Sequence, residues 1–112
     1  DRKKDVIISG GENVSSIEVE DAIFQHPDVT EVAVIGIPDE KWGELVTALV
    51  VTSPGSDLDE AAVIAWSKER LAGYKCPKKV EFREELARTA TGKLQKFKLR
   101  EPFWAGAEKQ IN

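Results

Sequence analysis

Residues 29–52 read VTEVAVIGIPDEKWGELVTALVVT, two apolar runs joined by a loop. Residues 29–37 alternate well enough for a strand, and Val32, Val34 and Ile35 favour one because branched side chains suit a pleated surface. Gly36-Ile37-Pro38-Asp39 opens the loop that holds Trp42 and Gly43. The run at 45–52 is apolar almost without interruption. That pattern suggests a central strand covered on both faces.

Outward from this pair, Val6-Ile7-Ile8-Ser9 reads as a short strand. Gly10-Gly11 breaks it and lets the backbone turn tightly or approach a ligand. Ser15 and Glu18 form a capping box, and a helix follows with Val19, Ala22, Ile23 and His26 on one face. His26-Pro27 ends it. On the other side, Ser53-Pro54-Gly55-Ser56 is a turn. A second helix is expected over roughly 58–72, capped within 57–60, with Ala61, Ile64, Ala65, Leu71 and Ala72 as its core stripe. Gly73 stops it. A third short strand is expected at 78–83 and a loop at 84–93. A short helix is expected from about Leu94, fraying beyond Pro102. The order predicts a small α+β domain, with a central, roughly three-stranded sheet flanked by helices and a short N-terminal strand.

The 112 residues suffice for one domain with a modest core. One cysteine, Cys76, excludes an internal disulfide and a cysteine-cluster metal site, and the lone His26 argues against a metal centre. We expect no bound metal, no transmembrane segment and a reduced, cytoplasmic setting. The chain has no methionine and starts at Asp1 inside a charged segment, so it reads as a piece of a longer protein. The net charge of −4 hides an asymmetry. Residues 1–67 carry four basic against fourteen acidic residues, a balance of −10, and residues 68–100 carry eleven against four, a balance of +7. A basic third in an acidic chain suggests a local anion site rather than a nucleic-acid fold.

Thr91-Gly92-Lys93 lacks the spacing of a phosphate-binding P-loop, because Leu94 follows the lysine. What remains is a lysine on a loop. It is either simply solvated or able to deliver one positive charge where negative charge builds up. Gly10-Gly11 is not a dinucleotide fingerprint; it serves a turn or the passage of a narrow ligand. Trp42 is either core or pocket wall. Tyr74-Lys75-Cys76-Pro77-Lys78-Lys79 sets an aromatic ring beside cations, a combination suited to a phosphorylated purine. Cys76 beside lysines has grounds for a lowered pKa, but no base partner is evident.

Order and spacing decide more than any one site. DRKKDVIISGGENVSS, GIPDEKWGE, YKCPKKVEF and RTATGKLQKFKLR resemble, in sequence order, the C-terminal domain of acyl-CoA synthetases in the adenylate-forming superfamily. The resemblance covers roughly residues 1–100. It implies a single mobile domain over 1–112 that follows a large N-terminal domain, its main partner, which this chain lacks. It implies two half-reactions. A carboxylic acid and ATP, with Mg2+, form an acyl-adenylate; coenzyme A then displaces AMP. By resemblance, Lys93 is the catalytic lysine of adenylation, Lys4 the hinge and Arg2 a nucleotide-ribose contact. Ser9-Gly10-Gly11-Glu12 would face the active site in the thioester conformation, with Gly10 and Gly11 lining the pantetheine tunnel. Trp42, Tyr74 and Lys78 match positions at the coenzyme A entrance. Some relatives carry an arginine at the position of Cys76.

SGGENV and TGKLQKFK favour an acid–CoA ligase over a peptide-synthetase adenylation domain, and SGGEN with PDEKWGE resembles fatty-acyl or aryl-acid ligases, a fatty acid being the expected substrate. Two alternatives stay open at this point. One is an adenylation domain that passes its acyl group to a carrier protein. The other is a nucleotide-binding module without catalysis.

Overall fold

A computed structural model describes residues 6–111. The elements run β1 (Val6–Ser9), β2 (Glu12–Ser15), α1 (Ser16–Phe24), β3 (Val29–Asp39), β4 (Gly43–Thr52), α2 (Glu60–Lys68), β5 (Lys79–Phe82) and α3 (Lys96–Ile111). The α+β expectation holds, and the three central strands and the N-terminal strand are all present. The addition is β2, four residues with a single buried apolar side chain, too short to show a period in the sequence.

Strands β3 and β4 form a long antiparallel ladder from Val29–Thr52 to Asp39–Gly43. On its other edge β4 meets β1 at Ser9–Gly43 and, further along, runs parallel to β5 from Thr47–Lys79 to Val50–Phe82. β1 and β2 pair antiparallel across Gly10-Gly11. Both glycines have positive φ, 60° and 83°. That is the conformation of a two-residue primed turn, whose twist matches the strands it joins.

The alternation of β3 and β4 sends side chains to two cores. Val32, Val34, Val46, Ala48 and Val50 pack with Val19 and Ile23 of α1 and Val63 of α2. Ala33, Ile35, Ile37, Leu49 and Val51 pack with Leu86 and with Leu99 of α3. β4 is thus covered on both faces, as its composition predicted.

Ser15 caps α1 as expected, its hydroxyl accepting from the Glu18 N–H at 3.3 Å. His26 lies beyond the helix end, edge-on to Trp66 with ring centroids 4.6 Å apart. Two further sequence expectations need correction. α2 is shorter than 58–72; Ile64 and Leu71 of the expected stripe pack partly buried on the first core, but the buried residues of the helix are Val63 and Ser67, not the alanines. Ser67 tolerates the interior because its hydroxyl donates to the Val63 carbonyl at 2.9 Å. Trp66 sets the helix rotation by donating its indole N–H to the Ala22 carbonyl at 2.8 Å. The final helix starts later than Leu94 and continues through Pro102. Proline there removes a helix hydrogen bond. Tertiary contacts offset that loss: Leu99 and Phe103 enter the core, and the Trp104 indole donates to the Gly36 carbonyl at 2.9 Å.

The glycine turn makes a test. Gly11→Ala meets no atom, so its cost is backbone strain alone, about 1 kcal/mol. Gly10→Ala adds a clash, its Cβ lying 2.8 Å from Trp42 Cε3, and should destabilise more in urea unfolding. A second test concerns acid. Burial pushes the Glu81 carboxyl up, but hydrogen bonds from Arg83 and Lys79 outweigh it and hold the group below its ordinary range. A depressed folded-state pKa stabilises above the unfolded value and is lost as pH falls through the folded one. Stability should therefore decline as pH drops below about 4.3, and Glu81→Gln should flatten that part of a pH–melting profile.

Candidate functional site

The β3–β4 connection is built from turn chemistry. Asp39 Oδ2 accepts from the backbone N–H groups of Lys41 (3.0 Å) and Trp42 (2.9 Å). Gly43 then takes φ 81°, the left-handed residue that closes a three-residue hairpin loop. The result projects Trp42 to the end of the sheet where β1 meets β4. Trp42 lies half-buried against Gly10, whose N–H donates to the Trp42 carbonyl at 2.8 Å. Two ammonium groups flank the indole, Lys78 at 4.4 Å and Lys41 at 5.3 Å from the ring centroid. Lys78 is held there by its backbone N–H, which donates to the Val46 carbonyl at 2.9 Å.

Gly10, Trp42 and Lys78 thus come together from three separate segments. Tyr74 sits on the short 3₁₀ turn Gly73–Lys75 that packs on β2, and the residue is 44% exposed. The Lys75 ammonium lies 5.7 Å from that ring and pairs with Glu18 at 3.0 Å; the Glu18 hydrogen bond raises the Lys75 pKa. Gly11 is exposed and nothing approaches its Cβ position, so its absent side chain serves the turn. Ser9, two residues earlier, has a buried hydroxyl with no hydrogen-bond partner among the described residues.

Cys76 does not share this surface. It is buried, with Sγ directed to the carbonyls of Ala72 (3.6 Å) and Leu71 (3.9 Å). Burial pushes its thiol pKa up, against the pull of Lys68 and Lys78. The sequence grounds for a lowered value are overturned, because desolvation outweighs two lysines whose charge lies in solvent.

Lys93 lies elsewhere. Its segment closes on itself: the Thr89 N–H donates to the Lys93 carbonyl (2.8 Å), and the Gly92 N–H to the Thr89 carbonyl (2.9 Å). The Lys93 N–H donates to Thr89 Oγ1 at 3.2 Å, and Gly92 supplies φ 92°. The Lys93 side chain is exposed. Arg88 ties the turn to the sheet, donating to the Gly92 carbonyl at 2.7 Å and to Glu31 Oε1 from both Nε and Nη2. Downstream, the Lys96 ammonium pairs with Glu20 at 2.6 Å and donates to Ser16 Oγ at 3.1 Å. The sequence reading omitted Arg88 and Glu31. No local signal joins residues 57 positions apart.

Glu31 stands near the start of β3, whereas Trp42 follows its end. Eight residue steps along the strand, from Glu31 to Asp39, span about 26 Å. The Lys93 turn and the Gly10–Trp42–Lys78 cluster therefore occupy opposite ends of the sheet. Lys4 and Arg2 lie outside the described residues. Among those described, no group of three or more His, Cys, Asp or Glu could hold a metal ion, and no helix is long and apolar enough to cross a membrane.

Known proteins share this fold. The chain is 52% identical over 101 residues to a peroxisomal trans-cinnamate:CoA ligase of Petunia hybrida, covering 90% of this chain and 18% of that protein. It is 50% identical over 109 residues to a long-chain-fatty-acid–CoA ligase of Mycobacterium tuberculosis, covering 97% of this chain and 22% of the relative. The structure of a Mycobacterium tuberculosis fatty acyl CoA synthetase superposes with TM-score 0.87 at 51% identity, over 95% of this chain and 21% of that one. The chain thus spans about a fifth of the length of these relatives. A sequence model of the AMP-binding enzyme C-terminal domain matches residues 18–93, a stretch that starts in α1 and ends on Lys93. With that match and a shared fold at half identity, the chain belongs to the family of AMP-binding enzyme C-terminal domains.

Proposed function

We propose that this domain serves an ATP-dependent acid–CoA ligase in two orientations, presenting Lys93 for acyl-adenylate formation and the Gly10–Trp42–Lys78 end for thioester formation. One observation carries this reading. The clusters attach to opposite ends of β3, at Glu31 and beyond Asp39, which are about 26 Å apart along the strand, so a single fixed orientation would bring only one of them to a given reaction centre. A domain that turns between the half-reactions uses both.

Each end suits its step. Lys93 offers an exposed point charge to the carboxylate and α-phosphate oxygens, where charge shifts during adenylation. At the other end, the Gly10-Gly11 turn offers bare backbone to a narrow pantetheine chain. Trp42 and Tyr74 offer ring faces, and Lys41 and Lys78 offer cations to phosphates. ATP, with Mg2+, and coenzyme A are substrates in this reading, bound largely by an N-terminal partner domain. Lys4 is its hinge and Arg2 its ribose contact. The acid is a fatty or aryl acid, by analogy with relatives named for a long-chain fatty acid and for trans-cinnamate, and is selected in the partner domain. A cytoplasmic parent enzyme completes the proposal.

The test separates the half-reactions in the full-length ligase. Lys93→Ala should lower ATP-dependent acyl-adenylate formation by about 10²–10³-fold. It should leave thioester formation from preformed acyl-adenylate within about twofold. Trp42→Ala should show the reverse pattern, raising the KM for coenzyme A. Equal loss of both half-reactions in either variant would refute the two-orientation reading.

A further inference from the structure

We infer that Arg88 and Glu31 are positioning residues for Lys93, holding its turn in the one geometry useful for adenylation; this rests on the role proposed above for Lys93. A lysine side chain is long and flexible, so where its charge can reach depends on how firmly its backbone is held. Around Lys93 the backbone is held on both sides. Thr89 closes the turn through its own N–H and through its hydroxyl, which also contacts Thr91 Oγ1 at 2.9 Å. Those bonds define the shape of the turn but do not tie it to the domain.

Arg88 ties it to β3, beside the packing of Leu94 on the second core. Its guanidinium uses three donors at once: Nη1 to the Gly92 carbonyl, one residue before Lys93, and Nε and Nη2 to Glu31. Glu31 belongs to β3 and pairs with Val51 of β4. The chain of contacts therefore runs from the sheet, through one carboxylate and one guanidinium, to the peptide joined to Lys93. A planar fork with five donors can bridge two acceptors in this way; a lysine at 88 would supply a point charge without the fixed geometry. The Arg88 and Glu31 side chains are 40% and 28% exposed. An ion pair this exposed contributes little to folding, so its main effect falls on where the turn sits. A displacement of about 1 Å remote from the reacting atoms can cost about 10²-fold in rate.

Neither residue needs to touch substrate, which sets the signature. In the full-length ligase, Arg88→Ala should lower the kcat of acyl-adenylate formation, read by ATP–pyrophosphate exchange, by about 10²-fold. The KM values for ATP and acid should stay within about twofold, because uniform binding is untouched. Thioester formation from preformed acyl-adenylate should be unchanged, since its residues lie at the other end of the sheet. Arg88→Lys and Glu31→Gln should show smaller losses with the same split; they carry the test should Arg88→Ala fail to fold. Loss in both half-reactions together, or in neither, overturns the inference. Lys93→Ala runs beside them. If it loses adenylation while the Arg88 and Glu31 variants do not, the positioning role alone fails. If it keeps adenylation, the proposed function fails with it.

Discussion

The ladder between β3 and β4 is the constraint from which the rest of the domain follows. It fixes β4 between β3 on one edge and β1 and β5 on the other. Its alternation supplies the inner face of both cores. Burying one valine, leucine or isoleucine contributes about 1.5–3 kcal/mol, and most of the pairs from Val32 to Val51 are buried on both strands. Slipping the register by one residue would exchange the two faces and expose this set to the wrong layer. The same ladder keeps the two candidate clusters at opposite ends of the sheet.

A sheet this small has edges to protect, and glutamates protect them. Glu20 of α1 accepts from the Val34 N–H at 2.8 Å on the outer edge of β3. Glu60 of α2 accepts from the Val80 N–H at 2.8 Å on β5, and Glu44 accepts from the Ile8 N–H at 3.2 Å on β1. Each carboxylate satisfies a strand amide that lacks a ladder partner; Glu20 and Glu60 also place a charge where another strand would otherwise add, whereas β1 already lies between β2 and β4. Glu44 needs room for this. Gly36 provides it, because a Cβ there would collide with the Glu44 carboxylate. Glu20 also pairs with Lys96, so one side chain closes the β3 edge and seats the start of α3.

Three turns carry the candidate functional residues, and each is stiffened by its own chemistry. Gly10-Gly11 folds by positive φ, Asp39 and Gly43 shape the loop under Trp42, and Thr89 with Gly92 shapes the turn bearing Lys93. Loops set on a rigid scaffold are where binding and catalysis concentrate. Here the residues that make a turn possible are the ones that make its motif recognisable. The resemblance in the sequence and the stereochemistry of the turns are therefore two views of the same residues.

Local signals in the sequence determined much of this. The apolar run at 45–52, the Ser15 cap, the Gly10-Gly11 break and the position of β5 were legible because each depends on neighbouring residues or a short period. So were Lys93, Trp42 and Lys78 as candidates, through motif order. Interactions between distant segments were not legible. The inward face of α2 followed Trp66 and its bond to Ala22 rather than the alanine spacing. α3 ran through Pro102 because Phe103 and Trp104 reach the sheet. Burial, which no neighbour reveals, raised the pKa of Cys76. Arg88 found Glu31 only once the chain had folded. Periodicity, caps and turns are energies of adjacent residues and can be read along the chain. Which end of the sheet a loop reaches, and what it is tied to there, depends on contacts made across the chain, and those only the tertiary structure decided.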